Sequence, residues 1–142
     1  MGLLRAIMRR PLADTALVAH ALVAHGAVAV LLRLAGLRGV SACLARASRG
    51  RTTAVPRQTE DRIVWAVRTA TRLLPAGRTC LTEALTAQYL VRRHGGDAQL
   101  RIGVSCAATL QSHAWLETAG RIIIGGESAA DYTPLALPRR WT

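Results

Sequence analysis

The spacing of apolar residues divides the chain into a helical part followed by a strand-forming part. Apolar residues recur every three or four positions over 63–74 and again over 81–91, which predicts two helices. Thr59 is the candidate N-cap of the first helix, and Pro75 ends it. The second helix is predicted from about Cys80 to His94, because a pair of glycines follows directly and stops it.

A long apolar run precedes these helices. No charged residue stands between Thr15 and Leu32, and the run over 12–37 is mostly alanine, leucine and valine. Alanine favours helix but is only weakly hydrophobic, so we interpret the run as a buried or partner-binding helix. Its length also approaches that of a membrane span, and the arginines before it would suit a signal peptide. A polar linker over 47–58 then separates an apolar helical region, 1–58, from a core, 59–142.

Beyond the second helix the apolar residues alternate with polar ones. The alternation from Leu100 to Cys106 predicts a strand. Two shorter strands, Ala114 to Glu117 and Arg121 to Ile124, enclose a three-residue loop, Thr118-Ala119-Gly120, where glycine suits the position with positive φ. Helices followed by antiparallel strands predict an α+β fold, with N-terminal helices ahead of a core in which a helix packs on a small sheet.

Composition places the chain among globular proteins with a single domain. It has 142 residues, of which 51% are hydrophobic and 19% charged, so it can bury a core and is not a disordered chain. The net charge is +11, and all 19 basic residues are arginine. An arginine- and alanine-rich composition is typical of a GC-rich genome, and no RNA-binding motif accompanies the charge. Nucleic acid is therefore not an expected partner.

The three cysteines, Cys43, Cys80 and Cys106, do not form a recognisable disulfide or metal pattern. Their number is odd, their spacing is wide, and no C-x-x-C pair is present. A reducing cytoplasm is the expected compartment, and no metal or organic cofactor is expected. Cys43 lies in an apolar run and Cys106 ends a strand, which are typical places for structural cysteines.

Cys80 and His113 are the candidates for chemistry. Cys80 stands at a predicted helix start, where backbone N–H groups without intrahelical partners stabilise a thiolate and can bind an oxyanion. Arg78 adds positive charge beside it. His113 opens a predicted strand and could face the helix start, where it could take a thiol proton and later protonate a leaving amine. On composition alone, an ordinary half-buried histidine is the alternative interpretation.

These residues resemble a specific family. The likeness lies in three stretches: 66–75; 80–95 with its Cys-Leu-Thr-Glu start; and 100–104 followed by His-Ala-Trp-Leu-Glu at 113–117. The ending Tyr132-Thr133-Pro134-Leu135 agrees with it. Together they resemble the leader peptidases, or B proteins, of lasso peptide biosynthesis, a transglutaminase-like group related to papain.

The resemblance implies an enzyme that removes the leader from a ribosomally made precursor peptide, with Cys80 as nucleophile and His113 as base. A separate ATP-using enzyme then macrocyclises the freed core. Some members carry a fused leader-recognition domain and others recruit it as a small separate protein. The helical pattern before residue 59 leads us to expect the split form. The expected partners are the precursor leader, that recognition protein and the macrocyclising enzyme, and membrane association is not expected.

The group that should orient the histidine is less clear. If Glu117 pairs with Arg121 across the hairpin, His113 pairs with position 125, where an aspartate would be expected, because cross-strand partners share a face of the sheet. The chain has Gly125 there.

Glu127 is the next acidic residue on that face if the strand continues, and we take it as the candidate third catalytic residue. Asp131 follows it, and a backbone carbonyl or a partner residue could also orient the histidine. Two other functions stay open: a non-catalytic scaffold of the same fold that binds the leader or a partner, and acyl transfer on the same two residues.

Overall fold

The computed structural model describes residues 11–47, 54–75, 77–106 and 109–137. Within them, helices precede a four-stranded antiparallel sheet whose strand order is β3-β2-β1-β4. The elements are helices α1 (Leu12–Ala47), α2 (Arg57–Leu73) and α3 (Cys80–Arg93), strands β1 (Gln99–Ser105), β2 (Gln111–Thr118), β3 (Arg121–Ile124) and β4 (Thr133–Pro134), and a 3-10 turn (Ala129–Asp131). The predicted α+β fold, with a cysteine-bearing helix on a small antiparallel sheet, is confirmed.

Helix α3 lies at the centre of the packing. It contacts α1 and α2 on one side and strands β1 and β2 on the other. Its side chains Leu85 and Leu90 are fully buried, as are Leu100 of β1 and Leu116 of β2. Burial of each such leucine contributes about 1.5–3 kcal/mol, so this layer fixes the position of α3 over the sheet.

Helix α1 is bent at Gly36, whose φ of 62° and ψ of −172° lie outside the helical region. The segments on either side both contribute to the common core, for example through Val28 and Val40. The opposite face leaves Val23 and Leu34 exposed. By length and composition α1 could cross a membrane, a test that core helices of soluble proteins and signal sequences also pass.

Helix α2 begins three residues earlier than predicted. Pro56 occupies the N-cap position, and its carbonyl accepts hydrogen bonds from the backbone N–H groups of Thr59 and Glu60 at 2.8 and 3.1 Å. The prediction of Thr59 as N-cap is therefore wrong, because Thr59 already lies in the first turn. The predicted linker over 47–58 is shortened at both ends by helix, and its middle, 48–53, lies outside the described residues.

The β2–β3 hairpin has a different register from the one predicted. Thr118 pairs with Arg121, so the loop has two residues, Ala119 and Gly120, with φ values of 46° and 75°. Two positive φ values suit a tight turn whose twist matches that of the strands, which explains why the three-residue loop was wrong. A bulge between Leu116 and Glu117 then shifts the pairing again.

Buried Glu60 ties the start of α2 to this hairpin. Its side chain is 7% exposed, and its carboxylate accepts hydrogen bonds from Thr118 Oγ1 at 2.7 Å and from Arg121 at 2.5 Å. A buried carboxylate requires such partners, because desolvation is not otherwise compensated. The interaction therefore holds the first turn of α2 against the sheet.

We expect Glu60→Gln to lower the free energy of unfolding by about 1–2 kcal/mol, because charge-assisted hydrogen bonds are stronger than neutral ones. Asp61→Asn is the matched control: Asp61 is the exposed neighbour in the same helical turn, and its effect should stay within about 0.5 kcal/mol. Urea denaturation measures both. Equal effects of the two substitutions would contradict the role of Glu60.

His25 of α1 is a titratable side chain enclosed in the core. It is fully buried, its Nδ1 lies 3.5 Å from Thr86 Oγ1, and its Nε2 has no hydrogen-bond partner among the described residues. Burial lowers the pKa of His25 from its ordinary value of 6.5, because the charged ring would lose its hydration.

The free energy of unfolding should therefore decrease as the pH is lowered below 6.5, the ordinary pKa of histidine. There the unfolded chain binds a proton at this residue that the folded chain does not. The slope from this one group is at most about 1.4 kcal/mol per pH unit. We expect His25→Leu to flatten the decline in urea midpoint between pH 6.5 and the lowered pKa. An unchanged slope would show that His25 does not cause it.

Candidate active site

Cys80 is the first residue of α3, and its position is fixed by a capping box. Thr79 Oγ1 accepts a hydrogen bond from Thr82 N at 3.1 Å, and Thr82 Oγ1 accepts one from Thr79 N at 2.9 Å. The Thr82 hydroxyl, which is buried, also donates to the carbonyl of Gly77 at 2.7 Å. These bonds set both where the helix begins and how the preceding loop enters it.

The helix start supplies backbone donors beside the Cys80 thiol. The first intrahelical bond is from Glu83 N to Thr79 O at 3.1 Å, so the N–H groups of Cys80 and Leu81 precede the helical ladder. Such groups carry the positive end of the helix dipole. They can stabilise a thiolate at Cys80. They can also donate hydrogen bonds to the carbonyl oxygen of a substrate, which becomes negative when Cys80 attacks the carbonyl carbon.

The His113 ring is held by two aromatic rings and one hydrogen bond. Its centroid lies 6.1 Å from that of Trp115, at an interplanar angle of 25°, and 5.2 Å from that of Tyr132, at 35°. Nε2 lies 2.8 Å from the carbonyl oxygen of Gly125. Gly103 of β1 lies opposite His113, and a side chain there would collide with Trp115 and Tyr132.

The hydrogen bond to Gly125 decides which nitrogen of His113 can act as a base. A carbonyl oxygen only accepts, so Nε2 carries the proton of this bond. In the neutral ring, Nδ1 is then the unprotonated nitrogen. The third group, which orients the histidine, is thus a main-chain carbonyl, and it sets the tautomer as a carboxylate would.

Cys80 and His113 line one cleft of about 240 Å³ between α2, the start of α3 and the first half of β2. Among the described residues no hydrogen bond joins the two side chains. Five of the nine other lining residues are charged; the nine are Arg68, Thr71, Arg72, Arg78, Glu83, Ala114, Ile124, Gly125 and Glu127. A cysteine at a helix start and a histidine with a fixed tautomer in one polar cleft are the parts of a thiol–imidazole site.

The sequence model of the transglutaminase-like superfamily matches residues 21–137. The chain belongs to this superfamily. It includes cysteine peptidases and acyltransferases. The matched segment extends across the predicted boundary at residue 58, and it includes most of α1 as well as the sheet. No curated protein and no solved structure matches the chain significantly.

The predicted third residue, Glu127, lines the cleft but points to another partner. Its carboxylate lies 3.5 Å from Arg68 Nη2, and its side chain is 89% exposed. Asp131 is an exposed residue of the 3-10 turn and does not line the cleft. The ring of His113 is instead hydrogen-bonded to the carbonyl of Gly125, which agrees with the alternative that a backbone carbonyl orients the histidine.

Gly125 cannot be replaced by the aspartate that the predicted register placed there. Its φ is +79°, and a Cβ atom would lie 2.8 Å from Ala114 O and 2.9 Å from Trp115 Cβ. Strand β3 ends at Ile124, so Gly125 turns its carbonyl towards His113 without being a ladder partner of that residue. The predicted pairing of His113 with residue 125 is wrong for this reason.

Other chemistry-bearing residues lie elsewhere. Cys43 and Cys106 were expected to be structural cysteines, but both are free and exposed, so neither is a buried structural cysteine. In the part of the chain that the structure describes, no group of three or more histidine, cysteine and acidic side chains could hold a metal. The sequence does not predict that Tyr132 packs against His113, although Tyr132 lies in the ending that carries the family resemblance.

We expect Gly125→Ala to lower the free energy of unfolding by about 2–4 kcal/mol. Alanine would be strained at the left-handed backbone angle of residue 125, and its Cβ would clash with Ala114 and Trp115. Gly120→Ala is the matched control, because Gly120 has a φ of +75° but nothing within 4 Å of its Cβ position. It should cost only about 1 kcal/mol. Thermal or urea unfolding of the pair tests this, and equal losses would show that the space at residue 125 is not constrained.

Proposed function

We propose that this chain is a cysteine peptidase that removes the leader peptide from a lasso peptide precursor. The observation that carries the proposal is the shared cleft of Cys80 and His113, with Cys80 at a capped helix start and His113 bonded to Gly125. Membership of the transglutaminase-like superfamily supports cysteine chemistry. The resemblance of 66–135 to lasso leader peptidases supports the substrate.

The mechanism uses the two side chains in turn. His113 Nδ1 takes the Cys80 proton, and the thiolate attacks the scissile carbonyl, whose oxygen becomes negative beside the first N–H groups of α3. The tetrahedral intermediate collapses, the C–N bond breaks, and His113 gives its proton to the leaving amine. Water, deprotonated by His113, then attacks the thioester and releases the carboxylic acid and the free thiol.

The proposed partners follow from the same resemblance. The leader of the precursor is bound with the help of a separate small recognition protein, and the product passes to the macrocyclising enzyme. The exposed apolar residues of α1, which include Val23 and Leu34, are available for such contacts. The proposed compartment is the cytoplasm, where all three thiols stay reduced, in agreement with the free cysteines.

One observation favours a second candidate, a non-catalytic scaffold of the same fold. The orienting group of His113 is a neutral carbonyl, which stabilises an imidazolium less than a carboxylate does. Acyl transfer would use the same residues as hydrolysis, with an amine in place of water. The mass of the product separates these reactions, because hydrolysis adds one water and transfer adds the amine.

The test is cleavage of the precursor encoded nearest to this gene, with and without the neighbouring recognition protein. We expect the wild type to release the leader and Cys80→Ala to abolish release, because the nucleophile is gone. His113→Ala should lower the rate by at least about a hundredfold. Cys43→Ala is the matched control, since Cys43 is exposed and outside the cleft, and it should cleave at the wild-type rate.

Two results would overturn the proposal. Release of the leader by Cys80→Ala would exclude Cys80 as the nucleophile. No release by the folded wild type, even with the recognition protein present, would favour the scaffold.

A further inference from the structure

The catalytic cleft carries more positive than negative side chains. Three arginines line it, Arg68, Arg72 and Arg78, against two glutamates, Glu83 and Glu127. A thiolate and an imidazolium at Cys80 and His113 would together be neutral. The cleft therefore holds one excess positive charge at the place where the substrate must lie.

The fold brings these arginines together from two elements. Arg68 and Arg72 stand four residues apart on α2, so they lie on one face of that helix, one turn from each other. Arg78 stands in the loop that leads into α3, two residues before Cys80. Helix α2 packs against α3, so the three arginines line the same cleft as the Cys80 thiol.

The arginines differ in their partners. Arg68 lies 3.5 Å from Glu127, and both side chains are well exposed, at 47% and 89%. Among the described residues, Arg72 and Arg78 have no carboxylate within 4.0 Å. In the same part of the chain, Arg62, Arg101 and Arg121 each reach an acidic side chain at 3.0 Å or less. The two unpaired guanidinium groups of the cleft are thus available to an anion.

We propose that the cleft selects a substrate with a carboxylate next to the bond attacked by Cys80, and that Arg72 and Arg78 bind this carboxylate. The proposal rests on the proposed function for the identity of the reaction, but the charge preference is a property of the cleft itself. Guanidinium groups bind carboxylates through parallel N–H donors, which gives direction as well as attraction. The carboxylate belongs either to an acidic side chain or to the C-terminus of a peptide.

A pair of alkylating reagents tests the charge preference without any substrate. Iodoacetate carries a carboxylate, and iodoacetamide carries a neutral amide in its place. In both reagents the thiolate attacks the methylene carbon and displaces iodide. The three cysteines fall in three separate tryptic peptides, 39–46, 79–92 and 102–121, so mass spectrometry measures each rate in one sample. Exposed Cys106 and Cys43 provide the comparison, and Cys43 also shows the effect of a single nearby arginine, because Arg46 follows it by one turn of α1.

The quantity to compare is the rate with iodoacetate divided by the rate with iodoacetamide. We expect this ratio at Cys80 to exceed that at Cys43 and Cys106 by about three- to tenfold at low salt, since each nearby arginine contributes about threefold. The excess should shrink in about 0.5 M salt. Arg72→Gln and Arg78→Gln should each remove part of it, and the double substitution should bring Cys80 to the level of the other two.

Two further variants sharpen the test. Arg93→Gln removes the same charge from the opposite end of α3, about 20 Å from Cys80, and should leave the ratio unchanged. Glu83→Gln removes a negative charge from the cleft and should raise the ratio. A ratio at Cys80 no higher than at the exposed cysteines, or one insensitive to Arg72 and Arg78, would overturn the proposal.

Peptide substrates identify the source of the carboxylate. Matched peptides spanning the cleaved bond would carry glutamate or glutamine on either side of it, and a free or an amidated C-terminus. We expect the acidic form of one pair to have a kcat/KM at least fivefold higher, and Arg72→Gln with Arg78→Gln to remove the difference. Cleavage of all forms at equal rates would overturn the inference and leave the peptidase intact. A raised alkylation ratio together with no release of the leader from the whole precursor, even with the recognition protein present, would support the cationic cleft and reject the peptidase.

Discussion

The burial of α3 between the other helices and the sheet is the interaction on which the rest of the structure depends. Leu85 and Leu90 lose all contact with water in this layer, and their burial fixes the height and rotation of the helix over β2. Cys80 lies at one end of α3, so its distance from the strands is set by packing some way along the helix. The Thr79–Thr82 capping box then decides at which residue the helix begins. A start displaced by one residue would turn the thiol by about 100° around the helix axis.

Much of the architecture could be predicted from the apolar pattern, because helix and strand repeats differ clearly over long segments. The bounds of α3 and β3 agree with the prediction to within one residue. The register of the hairpin could not be obtained in this way. It depends on a two-residue turn and on a bulge at Leu116, and one residue of displacement moves every later side chain to the other face. The bend of α1 at Gly36 was missed because glycine inside an alanine-rich run does not by itself indicate a break.

The two residues chosen for chemistry could be found because each occupies a place that the sequence marks, a helix start for Cys80 and a strand for His113. The structure places both on one cleft. The group bonded to His113 could not be found by looking for acidic residues. It is a main-chain carbonyl, present at every residue, and only the local backbone at Gly125 directs it to the ring. Arg78 could be placed beside Cys80 from the sequence, because only two residues separate them. Arg68 and Arg72 could not, because the chain has 19 arginines and the fold decides which of them line the cleft.

The carbonyl of Gly125 also differs from a carboxylate in what can remove it. It has no proton to gain and no charge to lose, so it accepts the same hydrogen bond in acid and in base. Substitution of a side chain cannot delete it, and only displacement of the backbone breaks the contact. A survey of the site by alanine replacement of its polar residues would therefore pass over the atom that holds the imidazole. The identity of this orienting group is preserved by the shape of a turn rather than by the chemistry of a residue.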